Sequence, residues 1–186
     1  MNPTNAPGNP VVDRPLDNFS ECHQGIIAHL DAFAKLPALA GNPALAGPLA
    51  KDTQAFFLEA VIDHHPEEEK DLFPAVLAAS TLGAEFDKVK ALVNKLIAEH
   101  RQIEATWRGL EPAVSQLAKG KAASIDAAAV EDLVQKYHAH ARFEEVQFLP
   151  LSAQILGRRD GKMASLGLAL HMRHVLRAAK RGLRGS

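Results

Sequence analysis

Apolar residues recur every three or four positions through most of the chain. Leu16, Phe19, Ile26, Leu30 and Phe33 fall on one helical face, and Val89, Val93, Leu96, Ile103, Trp107, Leu110 and Val114 on another. A third stripe runs Val130, Leu133, Tyr137, Phe148 and Leu151; a fourth runs Phe57, Val61 and Leu72 before losing strict register. This spacing marks helices that bury one face, and strand-like alternation is sparse. The glycine- and proline-rich stretches 37–48, 80–84, 118–124 and 156–161 read as loops. The pattern predicts an all-α chain: a flexible segment over 1–15, an antiparallel up-and-down four-helix bundle over 16–156, and a basic accessory helix within 157–186. That last helix shows an apolar face of Leu168, Met172, Val175, Leu176, Ala179 and Leu183, suited to the outside of the bundle.

Polar residues interrupt every stripe at one level. His23 and His100 each break a stripe once, while the other two helices place a histidine and a glutamate inward, His64 with Glu68 and His140 with Glu144. A residue and its i+4 neighbour share a helix face, so each pair can reach one ion or two adjacent ions. On an exposed helix such a pair is an ordinary solvated ion pair. Here it repeats: His64 and His140, Glu68 and Glu144, and Pro74 and Pro150 are each 76 residues apart, and His23 and His100 are 77 apart. Two related helix pairs would bring six donor side chains together in the core, where unpaired charge costs several kcal/mol. A divalent cation removes that cost. The counterpart of His65 in the second copy is Ala141, and His65 precedes Pro66, which disfavours helical geometry at that position. His64 is therefore expected as the ligand, and bound metal is expected to be insensitive to His65.

Composition narrows the chemistry. Of 186 residues, Cys22 is the sole cysteine, so neither an internal disulfide nor a thiolate cluster is available. Imidazole and carboxylate suit iron or manganese, whereas the ligand count exceeds one tetrahedral zinc site. The formal net charge of -1 conceals a tail, 157–186, with eight Lys or Arg against Asp160 alone. That tail carries no aromatic residue to stack on bases, so nucleic acid is disfavoured and a surface helix complementing an acidic body is expected. With no apolar run near the roughly 20 residues a membrane span needs, and no basic-then-apolar start, a cytoplasmic protein without membrane insertion is expected.

With His23, His64-x-x-x-Glu68, His100 and His140-x-x-x-Glu144, and with the tails EEKDLFP and EEVQFLP, the chain resembles the hemerythrin-like, or HHE cation-binding, family over about residues 16–156. The resemblance implies two non-haem iron ions, bridged by Glu68, Glu144 and a solvent-derived oxo or hydroxo group. It departs at Glu104, where oxygen-carrying relatives have a second histidine on the third helix. Glu104 lies about 40° around the helix from His100 and is expected as a seventh ligand. The implied function is binding or sensing of oxygen, or of reactive oxygen and nitrogen species, with a diatomic molecule or peroxide as partner. Two alternatives stand beside it. One is an enzyme that decomposes peroxide or donates iron for iron–sulfur repair, in which Tyr137 could tune the centre. The other is an iron-dependent regulatory module whose fifth helix, with His171 and His174, meets a partner.

Overall fold

The stripes are helical wherever they fall among the described residues of the computed structural model, 15–57, 62–158 and 161–167; Val61 lies outside them. The elements are α1 (Pro15–Phe33), a single turn α2 (Leu36–Leu39), α3 (Pro43–Phe56), α4 (Ile62–Glu67), α5 (Phe73–Ala79), α6 (Ala84–Ala118), α7 (Ala127–Phe143) and α8 (Leu149–Gly157). Residues 162–167 are again helical, and no strand occurs among the described residues. No described helix is long and apolar enough to cross a membrane. Residues 1–14 and 168–186 lie outside the described residues, and with them the apolar face expected from Leu168 onward, His171 and His174.

The expected loop over 37–48 is mostly helix. Asn42 caps α3 by accepting the Ala44 N–H, and Pro43 takes the first helical position, where a missing N–H has no helical partner to lose. Alanines carry the helix past Pro48, since alanine has the highest helix propensity. Ala46 and Ala50 are fully buried, and a side chain added at Gly47 would stand 3.4 Å from the Leu117 carbonyl oxygen. Small residues here let α3 and α6 approach closely. The turn signals at 80–84 and 118–124 hold: Gly83 enters α6 at a φ of 99°, which glycine adopts without strain, and the Asp126 side chain caps α7 by accepting from Ala128 and Ala129, whereas of the expected loop 156–161 the first two residues are still helical.

α1 and α6 each pack against both α3 and α7, and α5 packs against α6 and α8. The apolar core has two halves. One joins the end of α1 (Ile26, Leu30, Phe33) to Ala46, Ala50 and Phe57, to the second half of α6 and to the start of α7. The other joins Phe19 to Leu72, Phe73 and Val76, to Val89, Val93 and Leu96, and to Phe148, Leu149 and Ile155. Starts meeting ends in both halves is the arrangement of antiparallel neighbours. Leu166 joins the second half, and Arg158 bonds both Glu85 oxygens at 2.7 Å, tying the end of α8 to the start of α6.

Two wider, π-type turns, Glu68–Leu72 and Glu144–Phe148, sit at equivalent places in the two copies. The Phe73 and Leu149 amides bond the carbonyls of Glu68 and Glu144, five residues back instead of four. The proline that follows each turn lacks an N–H and crowds the carbonyl four residues earlier, a strain that a wider turn relieves. The extra residue also shifts the helical phase, so Leu72 and Phe73 are both buried below Glu68, and Phe148 and Leu149 below Glu144. This is why the fourth stripe loses register. His65 itself stays helical ahead of Pro66, and the departure from α geometry starts at Glu68.

Trp107 stacks on Phe57 at 3.9 Å between ring centroids, 6° from parallel, with Phe33 edge-on. Trp107→Ala is expected to lower the unfolding free energy by about 3–5 kcal/mol in a denaturant titration. A loss under about 1 kcal/mol would contradict this packing.

Candidate metal centre

Between the two apolar halves lies a polar layer. α1 supplies His23; α4 and the wide turn after it supply His64, His65 and Glu68; α6 supplies His100; α7 and the second wide turn supply His140 and Glu144. All seven are buried, the most exposed being His64 at 3%. The six residues singled out by spacing therefore meet, and His65 meets with them.

Four of the imidazoles are wired alike. Nδ1 of His23 faces Glu145 at 2.9 Å, that of His65 faces Glu104 at 3.1 Å, that of His100 faces Glu69 at 2.8 Å, and that of His140 faces Glu99 at 3.2 Å. An ionised carboxylate only accepts, so each Nδ1–H donates, and wherever the ring is neutral its Nε2 presents a lone pair to the layer. The outer carboxylates are themselves held: Ser20 donates to Glu145 at 2.8 Å, Lys95 pairs with Glu99, and Arg101 spans Glu69 and Glu104 at 2.5 and 3.1 Å. Glu104 thus sits outside the layer, on the far nitrogen of His65, and is not brought among the inward donors where it was expected.

Glu68 lies across the middle. Its Oε1 is 2.7 Å from His64 Nε2 and 3.8 Å from His23 Nε2, and its Oε2 is 3.0 Å from His100 Nε2. Glu144 Oε2 lies 3.4 Å from His23 Nε2 and 3.7 Å from His140 Nε2. These are ion-pair distances without hydrogen-bond alignment. Apart from Trp107 Nε1 and the Tyr137 hydroxyl, every buried side-chain nitrogen or oxygen lacking a hydrogen-bond partner among the described residues belongs to these seven side chains. Three overlapping groups, His65/His100/His140, His23/His140/Glu144 and His23/His64/Glu68, each hold their ligand atoms within 4.8 Å of one another. Donors on one ion with bonds of ~2.1 Å stand roughly 3–4 Å apart, so the layer fits a cation's donor set.

The electrostatics match. Burial pushes His64 down to about 3 and His65 to about 4, with neighbouring imidazoles adding to the shift, and pushes His100 down as well. Burial also pulls His23 down, but Glu144, Glu68 and Glu145 outweigh it and hold His23 up to about 9. Burial and the charge of Glu144 raise Glu68, while Glu144, despite its burial, is held low by His23 and His140. Most of the imidazoles are therefore neutral at pH 7, the protonation state a metal ligand needs.

Helices closing on such a layer define a cation-binding bundle. The chain matches the family model described as hemerythrin HHE cation binding domain over residues 14–152, and it belongs to that family. An uncharacterized protein of Haemophilus influenzae is 25% identical over 115 residues, a match covering 60% of this chain and 63% of the relative, so the chain spans less than two thirds of that protein's length. No solved structure matches.

Spacing alone misses His65 and the outer glutamates. One signal was available for two of them: both copies carry a doubled glutamate, Glu68-Glu69 and Glu144-Glu145, whose second member reaches a histidine on a neighbouring helix.

As pH falls through 6.5, the unfolded chain protonates His64, His65 and His100, whereas the folded chain does not until near 4 or below. The unfolded state then binds more protons, and stability falls with pH. Glu68 opposes this as a single group. The raised His23 contributes stability fully below 6.5 and loses it as pH rises through about 9. Thermal melts of chelator-treated protein should show Tm falling from pH 7 to 5, and falling again as pH rises from 7 to about 9. A Tm that is flat or rises from pH 7 to 5 would contradict this.

Proposed function

We propose that the layer holds two iron ions and that the protein binds or senses oxygen, or reactive oxygen and nitrogen species. The observation that carries this is the concentration of partnerless buried donors on one layer, with Glu68 facing imidazoles on both sides. Leaving so many polar atoms unsatisfied in a core costs about 1–3 kcal/mol each, and a pair of cations supplies partners for them at once. Glu68 and Glu144 would bridge, with His23 and His64 on one side and His100 and His140 on the other. When bound, ferrous ions supply binding of small oxidants and one-electron chemistry.

The protein's own residues set the conditions. Glu145, Glu69 and Glu99 fix the tautomers of His23, His100 and His140 and hold each Nε2 inward. The two apolar halves keep water from the layer. A cavity of about 450 Å³, lined by Phe57, Pro66, Arg101 and Trp107 among others, extends to Glu69 and Glu104 and offers a small molecule an approach to the centre.

A second reading, a peroxide-decomposing enzyme, is favoured by Tyr137. Its ring lies 5.7 Å from His140 and 6.4 Å from His23 and His65, and its buried hydroxyl has no hydrogen-bond partner among the described residues. That hydroxyl is a proton donor available beside the layer.

Iron-loaded protein should carry two ions per chain and show an absorption band that changes reversibly with oxygen. His64→Ala and Glu144→Ala should lose most of the iron, as read by elemental analysis. Full iron content in both variants would reject the site. Sustained peroxide turnover that Tyr137→Phe abolishes would favour the enzyme.

A further inference from the structure

The cavity of about 450 Å³ that reaches Glu69 and Glu104 lies between the end of α3, α4 with the wide turn after it, and α6. Sites for small organic molecules run roughly 300–1,000 Å³, with apolar walls and a few polar groups that fix orientation. This cavity has both parts. Phe57, Pro66 and Trp107 supply apolar wall, and Phe57 and Trp107 are held in place by their own stacking. Lys70, Arg101 and Arg108 bring three cations to the same cavity.

Its two carboxylates are already partnered. Glu69 meets His100 Nδ1 at 2.8 Å and Arg101 Nη2 at 2.5 Å, and Glu104 meets His65 Nδ1 and Arg101 Nη1, each at 3.1 Å. Arg101 is thereby engaged with both, and the unmatched positive charge rests on the other two cations. Arg108 donates its Nε to the Glu104 carbonyl oxygen at 3.1 Å, which leaves the far end of its guanidinium without a partner among the described residues. Lys70 forms no hydrogen bond or ion pair among the described residues. The buried Nε1 of Trp107 is a further donor with no hydrogen-bond partner among them.

We propose that this cavity is a binding site for a small amphipathic organic acid, whose apolar body lies along Phe57, Pro66 and Trp107 and whose anionic group meets Lys70 and Arg108. An inorganic anion would reach the cations but leave the apolar wall in water. An uncharged apolar molecule would cover the wall but desolvate the cations without pairing them, which costs free energy. One acid group on an apolar body satisfies both, through charge-assisted hydrogen bonds that are stronger than neutral ones. The site lies on the outer side of Glu69 and Glu104 and uses none of the donors turned into the polar layer. It therefore goes beyond the di-iron proposal and does not rest on it.

Trp107 is the single tryptophan of the chain, so its emission reports on this cavity. The test titrates the full chain as purified, its metal content measured and matched between samples, with octanoate and with phenylpropionate. Octanol and octylamine serve as the uncharged and cationic counterparts, and calorimetry reads the stoichiometry independently. At least one of the two acids should saturate at one molecule per chain with a change in Trp107 emission. Octanol and octylamine should each bind at least about ten-fold more weakly than the acid, the loss expected for one charge-assisted contact. Lys70 and Arg108 are exposed, so Lys70→Glu and Arg108→Glu should keep the helical circular dichroism while weakening the acid about ten-fold. Should a charge-reversed chain fail to fold, Lys70→Ala and Arg108→Ala take its place. No saturable binding of either acid overturns the proposal. So does octanol or octylamine binding as tightly as the acid, and so does wild-type affinity for the acid in both variants.

Discussion

A bundle core that buries two carboxylates and five imidazoles at one level must find partners for them, and the rest of this structure follows from that requirement. Apolar packing is interrupted where α1, α4, α6 and α7 each turn a polar residue inward, so the core is two clusters instead of one. Each cluster closes one side of the polar layer. The chain accepts the cost of the layer because helix packing on both sides of it is extensive, with Trp107 and Phe57 stacked on one side and Phe73 and Phe148 edge to face on the other. A layer of this kind is poorly solvated, poorly paired and held in place, which are the conditions under which a cation binds with most effect.

Backbone and side chains cooperate in aiming the donors. The wide turns begin at Glu68 and Glu144, so each carboxylate stays inward with its histidine one turn earlier while the apolar residues below it are rephased to face the second cluster. Outside the layer a belt of glutamates orients the rings. Wide turns of this kind are costly in an ordinary helix and concentrate at functional sites. Here each one falls on an inward carboxylate.

Much of this was legible in the sequence, and the failures are specific. The stripes name the buried faces, and a histidine breaking a stripe names the polar level, because burial follows helical periodicity directly. The 37–48 stretch departs from its loop signal because proline and glycine do not break a helix here: Pro43 starts one and Gly47 permits a close approach. Ala141 at the equivalent position and Pro66 next in the chain argue against an inward His65. The structure keeps it helical and fully buried, because the adjustment to proline occurs at Glu68 instead. Glu104 was expected inside on angular position alone; a long side chain can turn outward, and the competing partners Arg101 and His65 are visible only in three dimensions. The outer glutamates share this difficulty, since a partly exposed carboxylate beside a buried histidine has no periodic signature.

The central claim is that a pair of cations occupies the layer between the two apolar clusters. An anomalous difference map from crystals of iron-loaded protein, with data collected on either side of the iron edge, tests it most directly. The account predicts two peaks within the layer, on either side of Glu68. Folded, iron-exposed crystals with no peak in the layer, and with ordered water completing the imidazole and carboxylate hydrogen bonds, would contradict it.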